Sequence, residues 1–540
     1  MPKIHIKKQI YCGYLKLVML LSVVFLLTGC AASRIKSSAD REVYRILDKK
    51  TKEVTPEKML WGIENGEPQE IPSEDTPLTL KDVLIIATSN NRDYQTAKED
   101  VYLETLSLIS QRYQYSLRYG VDGGVTWESD GGEENVSADL NLNLVKWLAQ
   151  GTQITFNIAQ EYLKYLTGNV DETFQTVVGL DIFQPLFRGA GRKIAQADLI
   201  QAERNVVYQI RSFLRYQRSF SVTVAEKYFT LLEAKNNIEN YSRNYAYLKQ
   251  TRERIEMLSE AGRISTMEVD QTRQDEYSAY QNWISANNDY QQLLDEFKIF
   301  LGLSPEVKIS LEGKGLEKFL EKGMPEIKIA PEESLKLALE KRLDLLTAYD
   351  QLEDSKRDVD VALNALRTKL DLNLGVESSS SAENKPTFEL EKPSYTVGVD
   401  LELPFNKVPE RNAYRQALIN LEREKRSVTQ TKDEIKLDVL GICRDLVEAY
   451  QTYLIQDKSL KLASRRVEGT DLLLQAGRAT TRDLLEAQAS YLDAKNSLSS
   501  AIVNYLISYL EFLRDTELLE LNEQGVWKGD LYEKISGENY

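Results

Sequence analysis

The chain has 540 residues and a formal net charge of −15. No basic surplus is available to meet phosphates, which excludes a nucleic-acid partner. One histidine, His5, and three cysteines, Cys12, Cys30 and Cys443, leave too little for a Ser-His-Asp triad, a His/Cys metal site or a disulfide framework. No catalytic constellation is found, so the protein is expected not to be an enzyme and to need no cofactor.

Residues 1–29 read as a processing segment: Lys3, Lys7 and Lys8 form a basic start, Leu17 to Leu27 an apolar core. Leu27-Thr28-Gly29-Cys30 resembles the bacterial lipobox. That resemblance implies cleavage after Gly29 and acylation of Cys30, and Ala31 in the next position implies sorting to the outer membrane. Cleavage removes His5 and Cys12. Residues 30–77 are polar, with Pro56, Pro68, Pro72 and Pro77, and are expected to form an extended leader with little structure.

A first repeat is assigned to residues 78–303. Leu80, Val83, Leu84, Ala87, Val101 and Leu108 carry helical spacing. Strands are expected within 116–184, where apolar residues alternate with polar ones: Tyr119, Val121, Val125 and Trp127; Val136 to Leu144; Ile154, Phe156 and Ile158; Val178, Leu180 and Ile182. Strict alternation gives one apolar and one polar face. In a soluble sandwich the apolar face points inward; in a membrane barrel it meets lipid, with aromatics such as Trp127, Trp147, Tyr162 and Tyr165 at the rims. The loops Glu128 to Asn135 and Thr167 to Thr173 read as long, the turn at Gln150-Gly151 as tight.

After Gln184-Pro185-Leu186-Phe187-Arg188-Gly189 comes a rod from about Arg192 to Leu258. Its apolar stripe (Ala202, Val206, Ile210, Phe213, Phe220, Val224, Tyr228, Leu231) is close to a 3.5-residue period, interrupted by Gln217. At ~1.5 Å per residue such a rod is about 100 Å long, too long for one compact domain. It ends at Ala261-Gly262-Arg263, and a return helix runs from Thr266 to Leu301. Residues 304–331 are a linker.

Residues 332–520 repeat the pattern: helix, strands within 369–403, a rod from about Glu410 to Leu474, the phrase Ala476-Gly477-Arg478, and a return helix from Thr481. Val428, Ile435, Val439, Ile442 and Leu446 carry the rod's stripe, with Lys425 and Lys432 as polar intrusions. Phe297 and Phe512 sit at matching offsets. This is an internal duplication, followed by a tail, 521–540. The fold class is therefore mainly α with membrane β: antiparallel coiled-coil helices forming an α-barrel, plus strands given to a shared barrel. One copy has too few strands to close a wide barrel, and open sheet edges do not survive in lipid.

Over residues 78–520 the chain resembles the TolC family of outer-membrane efflux and secretion channels. The phrases that carry the likeness are Asn90-Asn91, the Gln184 to Gly189 run and the two glycine turns, together with duplication and lipobox. The resemblance implies a homotrimer in the outer membrane, its helical tunnel reaching into the periplasm. Its implied partners are a periplasmic adaptor and an inner-membrane transporter, and its implied role a passive, gated conduit for efflux or type I secretion. The family gives two strands per half. Here the first half offers four, so either the shared barrel is larger or residues 128–175 form an accessory hairpin. By resemblance, Asp483 and Glu486, three apart on one helical face, would form acidic rings at the periplasmic gate. The turn residues Gly262, Arg263, Gly477 and Arg478, with Glu268, would meet the adaptor. Acids in a helix's first turn also favour its dipole; for Glu268 that reading has equal weight, and for Asp483 and Glu486 the gate is preferred. Cys443, among apolar neighbours, reads as a buried structural thiol. The competing function is a non-transporting outer-membrane lipoprotein scaffold whose strands form a soluble sandwich. The cargo is not legible.

Overall fold

The computed structural model describes residues 31–56, 59, 61–63, 77–131, 133–167, 172–312, 319, 324–327, 330–383 and 391–528, with the side chains of 31, 32, 382 and 383 left out. The processing segment, Cys30 and residues 529–540 lie outside the described residues.

The first element corrects the expected extended leader. Residues Ala31–Val54 form a helix, α1. The four prolines that suggested an extended chain all follow it. Within it Asp40, Val43, Leu47 and Thr51 recur at helical spacing and are buried. It packs on two later helices through Tyr102 Oη, which donates to Asp40 at 2.6 Å, and Lys50, which pairs with Glu203 at 2.9 Å.

Next come α2 (Leu80–Asn90) and α3 (Arg92–Gln114). The expected single helix is broken at Asn91, whose side chain caps α3 by accepting from Tyr94 N at 2.9 Å and donates to Phe300 O at 2.7 Å. Four strands follow: β1 (Leu117–Asp130), β2 (Glu133–Trp147), β3 (Gln153–Tyr165) and β4 (Thr173–Pro185). A short α4 (Arg192–Ala195) leads into the rod α5 (Ala197–Glu260) and its return helix α6 (Thr266–Phe300). The second repeat gives α7 (Pro331–Lys341), α8 (Leu343–Ala365), β5 (Lys369–Glu383), β6 (Ser394–Glu402), the rod α9 (Val408–Gln475) and the return helix α10 (Thr481–Asp515). The region Glu128 to Asn135, read as a long loop, is instead a tight hairpin, because β1 and β2 pair as far as Asp130 and Glu133.

The rods bury the stripes expected of them. In α5, Val206, Ile210, Phe213, Phe220, Val224, Tyr228 and Leu231 are all buried. The polar intrusion Gln217 is buried too, and donates to Tyr94 Oη at 2.8 Å. In α9 the buried stripe runs from Val428 to Tyr453; Lys432 lies over the Tyr349 ring. Cys443 is a free, buried thiol, and burial pushes its pKa up.

Both rods end alike. Gly262 (φ +70) and Gly477 (φ +67) take the left-handed conformation, and Arg263 N and Arg478 N donate back to Leu258 O and Leu473 O at 2.9 and 2.8 Å. This is the Schellman arrangement, which satisfies the last carbonyls of a helix. The return helices share a second one. Gly302 (φ +75) ends α6, and Glu517 (φ +60) stands at the matching place after α10. A left-handed Glu is strained by about 1–2 kcal/mol. Its buried carboxylate is held by Arg218.

The long helices pack side by side, with α1 lying across α3 and α5. Beside the sheet their order is α3–α5–α8–α9, and towards the turns it is α6–α5–α10–α9. β1 leaves α3, β4 enters α4 and α5, β5 leaves α8 and β6 enters α9.

Candidate functional site

Two regions carry the functional residues: the sheet at one end and the pair of turns at the other. The strands form one six-stranded antiparallel sheet in the order β1 to β6. β2 and β3 are internal members of it, which rules out an accessory hairpin at 128–175.

The register sorts the side chains onto two faces. One row reads Tyr119, Leu144, Phe156, Leu180, Val376, Tyr395, and the next Val121, Leu142, Ile158, Val178. The opposite face carries Asp122, Asp139, Glu161, Asp181, Glu377 and Asp400, set among Asn141, Asn143, Asn157 and Asn373. Asp122, Asp139 and Asp400 accept from Asn143, Asn141 and Asn373, so amides and not cations stand next to them. Basic residues on that face, Arg118 and Lys369, lie at the helix end of the sheet.

The apolar face is exposed along both edge strands and half-buried between them, with no helix among the described residues packed over it. Tyr119 is 76% exposed, Trp127 60%, Val397 73% and Leu401 59%. Soluble proteins rarely expose so continuous an apolar surface. A soluble sandwich would have covered this face with the chain's own elements. Among the described residues no helix is long and apolar enough to cross a membrane.

At the other end, Thr480 and Asp483 form a capping box. Asp483 N donates to Thr480 Oγ1 at 3.2 Å, while the Asp483 carboxylate accepts from Thr480 N at 2.8 Å and Oγ1 at 2.7 Å. The Thr480 hydroxyl, then its backbone N–H, hold this carboxyl below the usual carboxylate range. Glu486, one turn on, accepts from Arg466 of α9 at 2.8 Å. Both acids are exposed. Glu268 does more than meet a dipole: it accepts from Thr481 Oγ1 at 2.7 Å and so ties the start of α6 to the start of α10. Gly262, Arg263, Gly477 and Arg478 are exposed at the turns.

Sequence reasoning missed the two polar seams that join the repeats. Along α5 and α8, Arg204 pairs with Asp350 and Asp354, Arg211 with Asp350 at 2.7 Å and Arg215 with Asp344. Nearer the turns, α5 meets α10 through amides and hydroxyls: Asn236 donates to Ser499 Oγ at 2.7 Å, Asn240 to Asn496 at 2.9 Å, and Gln488 to Asn244 at 3.2 Å. Buried polar contacts of this kind fix register between helices. The spacing of Arg204, Arg211 and Arg215 was visible as a stripe; its acidic partners, Asp344, Asp350 and Asp354 on α8, were not.

The fold is similar to that of solved outer-membrane channels. The chain is 15% identical to CusC, covering 81% of this chain and 91% of that one at a TM-score of 0.61. It is 13% identical to VceC of Vibrio cholerae, over 81% and 95% of the two chains at a TM-score of 0.60. It is 15% identical to MtrE of Neisseria gonorrhoeae, crystallised in an open state, over 81% and 88% at a TM-score of 0.58. These identities establish the fold. Residues 334–512, from α7 through α10, match the outer membrane efflux protein family. Over that span the second repeat is similar to outer membrane efflux protein domains. The matched span contains β5, β6, the second rod and both gate candidates, Asp483 and Glu486. The architecture as a whole, mainly helical with one antiparallel sheet, is that of the TolC-like channels. No curated protein sequence matches the chain.

Proposed function

We propose that this chain is one subunit of a homotrimeric outer-membrane channel that exports cargo from the periplasm, passively and through a gated helical tunnel. The observation that carries the proposal is the uncovered apolar face of a sheet with two free edges. In lipid an unpaired edge leaves backbone N–H and C=O groups unsatisfied, each at several kcal/mol, so copies must share edges. β1 runs away from the helices and β6 towards them. β6 of one copy is therefore antiparallel to β1 of the next, like every other ladder in the sheet. Exposed apolar residues on α9, including Leu437, Val447, Ile455 and Leu462, give the helical wall a matching face for a neighbouring copy.

In this reading the conduit is passive and the energy comes from elsewhere. An inner-membrane transporter would supply it, and a periplasmic adaptor would meet the turns around Gly262, Arg263, Glu268, Gly477 and Arg478. Asp483 and Glu486 would ring the periplasmic mouth, with Arg466 tempering the charge of Glu486. Cys30 would carry lipid. The decisive experiment is fractionation followed by bilayer recording. The protein should stay with outer membrane through carbonate washing, run as a trimer in mild detergent, and form channels. A monomer that washes off sinks the channel reading and favours the lipoprotein scaffold. Loss of fatty-acid labelling in Cys30→Ser tests the anchor; unchanged labelling refutes it.

A further inference from the structure

The helix beside the acylation position points the wrong way for a membrane anchor. Asp40 of α1 accepts from Tyr102 of α3 at 2.6 Å, and Lys50 pairs with Glu203 of α5 at 2.9 Å. Arg112, close to the end of α3 that feeds β1, donates to the same Glu203 at 2.8 Å. So α1 climbs towards the sheet as the chain proceeds, and Ala31 is its end farthest from the sheet. At ~1.5 Å per residue, Tyr102 stands about 18 Å below Gln114 at the end of α3, and Ala31 about 13 Å lower again. Cys30 directly precedes Ala31. A lipid there would hang about 30 Å short of the bilayer that holds the sheet.

Burial marks where the helix can give. Its first buried residue is Asp40, followed by Val43, Ile46 and Leu47. Residues 33–38 are all exposed, Ile35 at 65%. Ser37 Oγ donates to Arg34 O and Arg41 Nε to Ser37 O, both at 3.1 Å, bonds within the helix itself. A helical stretch this short, without packing, is marginal in water, so unwinding it disturbs little else. Extended, residues 31–39 reach about 30 Å, more than the ~18 Å from Asp40 to the sheet. The stretch Ser33-Arg34-Ile35-Lys36-Ser37-Ser38-Ala39 carries two cations, no acid and one large apolar side chain. Two basic residues beside an anionic leaflet favour that position about 30-fold.

We propose that residues 31–39 are a basic tether. With Cys30 held by lipid, the segment leaves the helix, turns back along α3 and lays Arg34 and Lys36 against the phosphates of anionic phospholipid in the inner leaflet. The Asp40–Tyr102 bond is the fixed point, and the rest of α1 keeps its seat. This rests on the lipid anchor in the proposed function.

The test compares the acylated full-length protein with its Cys30→Ser variant, exported behind an ordinary signal peptide, both in a Cys443→Ser background and reconstituted in vesicles. Spin labels at Ile35→Cys and Glu42→Cys are read against nickel chelated on a lipid headgroup. In the Cys30→Ser protein the helix holds Ile35 farther from the membrane than Glu42, so the Glu42 label should relax faster. In the acylated protein the order should invert. Amides of residues 33–38 should exchange about 10-fold faster in the acylated protein, with those of 43–51 unchanged. Phosphatidylglycerol vesicles should relax the Ile35 label more than phosphatidylcholine vesicles, and Arg34→Gln with Lys36→Gln should remove that difference. An order that does not invert overturns the tether, and equal relaxation in the two lipids overturns its contact with anionic phospholipid. Fatty acid absent from Cys30, read by mass, refutes the anchor itself, so the two failures are told apart.

Discussion

Asp354 is the acid on which the seam between the repeats turns, and its removal can be sized from its surroundings. Its carboxylate is 8% exposed and accepts from Arg204, from Arg357 Nη1 at 3.0 Å, from Gln201 Nε2 at 3.3 Å and from the Tyr208 hydroxyl. Burial, then Asp354 itself, pushes the Tyr208 phenol up, so the hydroxyl remains a donor. Asp354→Ala leaves two guanidinium groups facing each other without their shared anion. Breaking a fully buried pair costs about 3–5 kcal/mol. Arg204 is 28% exposed and Arg357 16%, so water screens part of this and about 2–3 kcal/mol remains. Asp354→Asn keeps the shape and one acceptor and should lose about half as much. Hydrogen exchange read by mass spectrometry measures this locally. Amides in α8 and the facing part of α5 should exchange roughly 30- to 150-fold faster in Asp354→Ala. The turns, far along the rod, should exchange as in wild type. Wild-type exchange in α8 for both variants would refute the claim that charge pairs hold the repeats together.

The glycines give a paired test. A Cβ on Gly302 would lie 2.3 Å from Asn90 O, whereas one on Gly477 meets open space; both changes to Ala carry left-handed strain of about 1–2 kcal/mol, and Gly302→Ala should lower the melting temperature further. Equal losses would mean that the close approach of Gly302 to the Asn90 carbonyl, beside the α2–α3 break, contributes nothing. At the turns, the depressed pKa of Asp483 means that its cap is present above the ordinary carboxylate pKa and is lost only as pH falls through the lowered value. Exchange in the first turn of α10 should therefore be slow and flat in cap protection from neutral pH down to about 4 and speed up below it, and Asp483→Ala should abolish that dependence. On the polar face of the sheet, changing Asp122, Asp139 and Asp400 together to Asn should shift the reversal potential in a salt gradient towards that of a non-selective pore. An unchanged potential would mean that these acids do not line the conduction path.

The duplication was legible because its punctuation is chemical: a glycine that must adopt positive φ ends each rod, and the same Ala-Gly-Arg phrase marks both places. The strands were legible because alternation at Tyr119 to Trp127 or Tyr395 to Leu401 has one meaning in backbone geometry. The α1 helix was not, since prolines after residue 54 coloured the reading of a segment that itself contains none. The breaks at Asn91 and Arg342 were hidden because the apolar period carries on across both. Thr480 and Asp483 stand at capping-box spacing, yet the box says nothing of which way the helix faces in a ring, so the gate assignment stays a proposal. The Arg–Asp seam was invisible for a simpler reason: complementary stripes can be read from one chain, but which stripe meets which is decided by the fold.

The central claim is that lipid covers the apolar side of the sheet. Spin labels at Val121→Cys, Leu142→Cys and Val399→Cys, against Asp122→Cys, Asn143→Cys and Asp400→Cys, in a Cys443→Ser background reconstituted into liposomes, test it most directly. Labels of the first set should collide with oxygen dissolved in lipid and be shielded from a water-soluble nickel complex, and labels of the second set should show the reverse. Nickel access to both sets, or shielding of the first set from oxygen as well, would contradict the account.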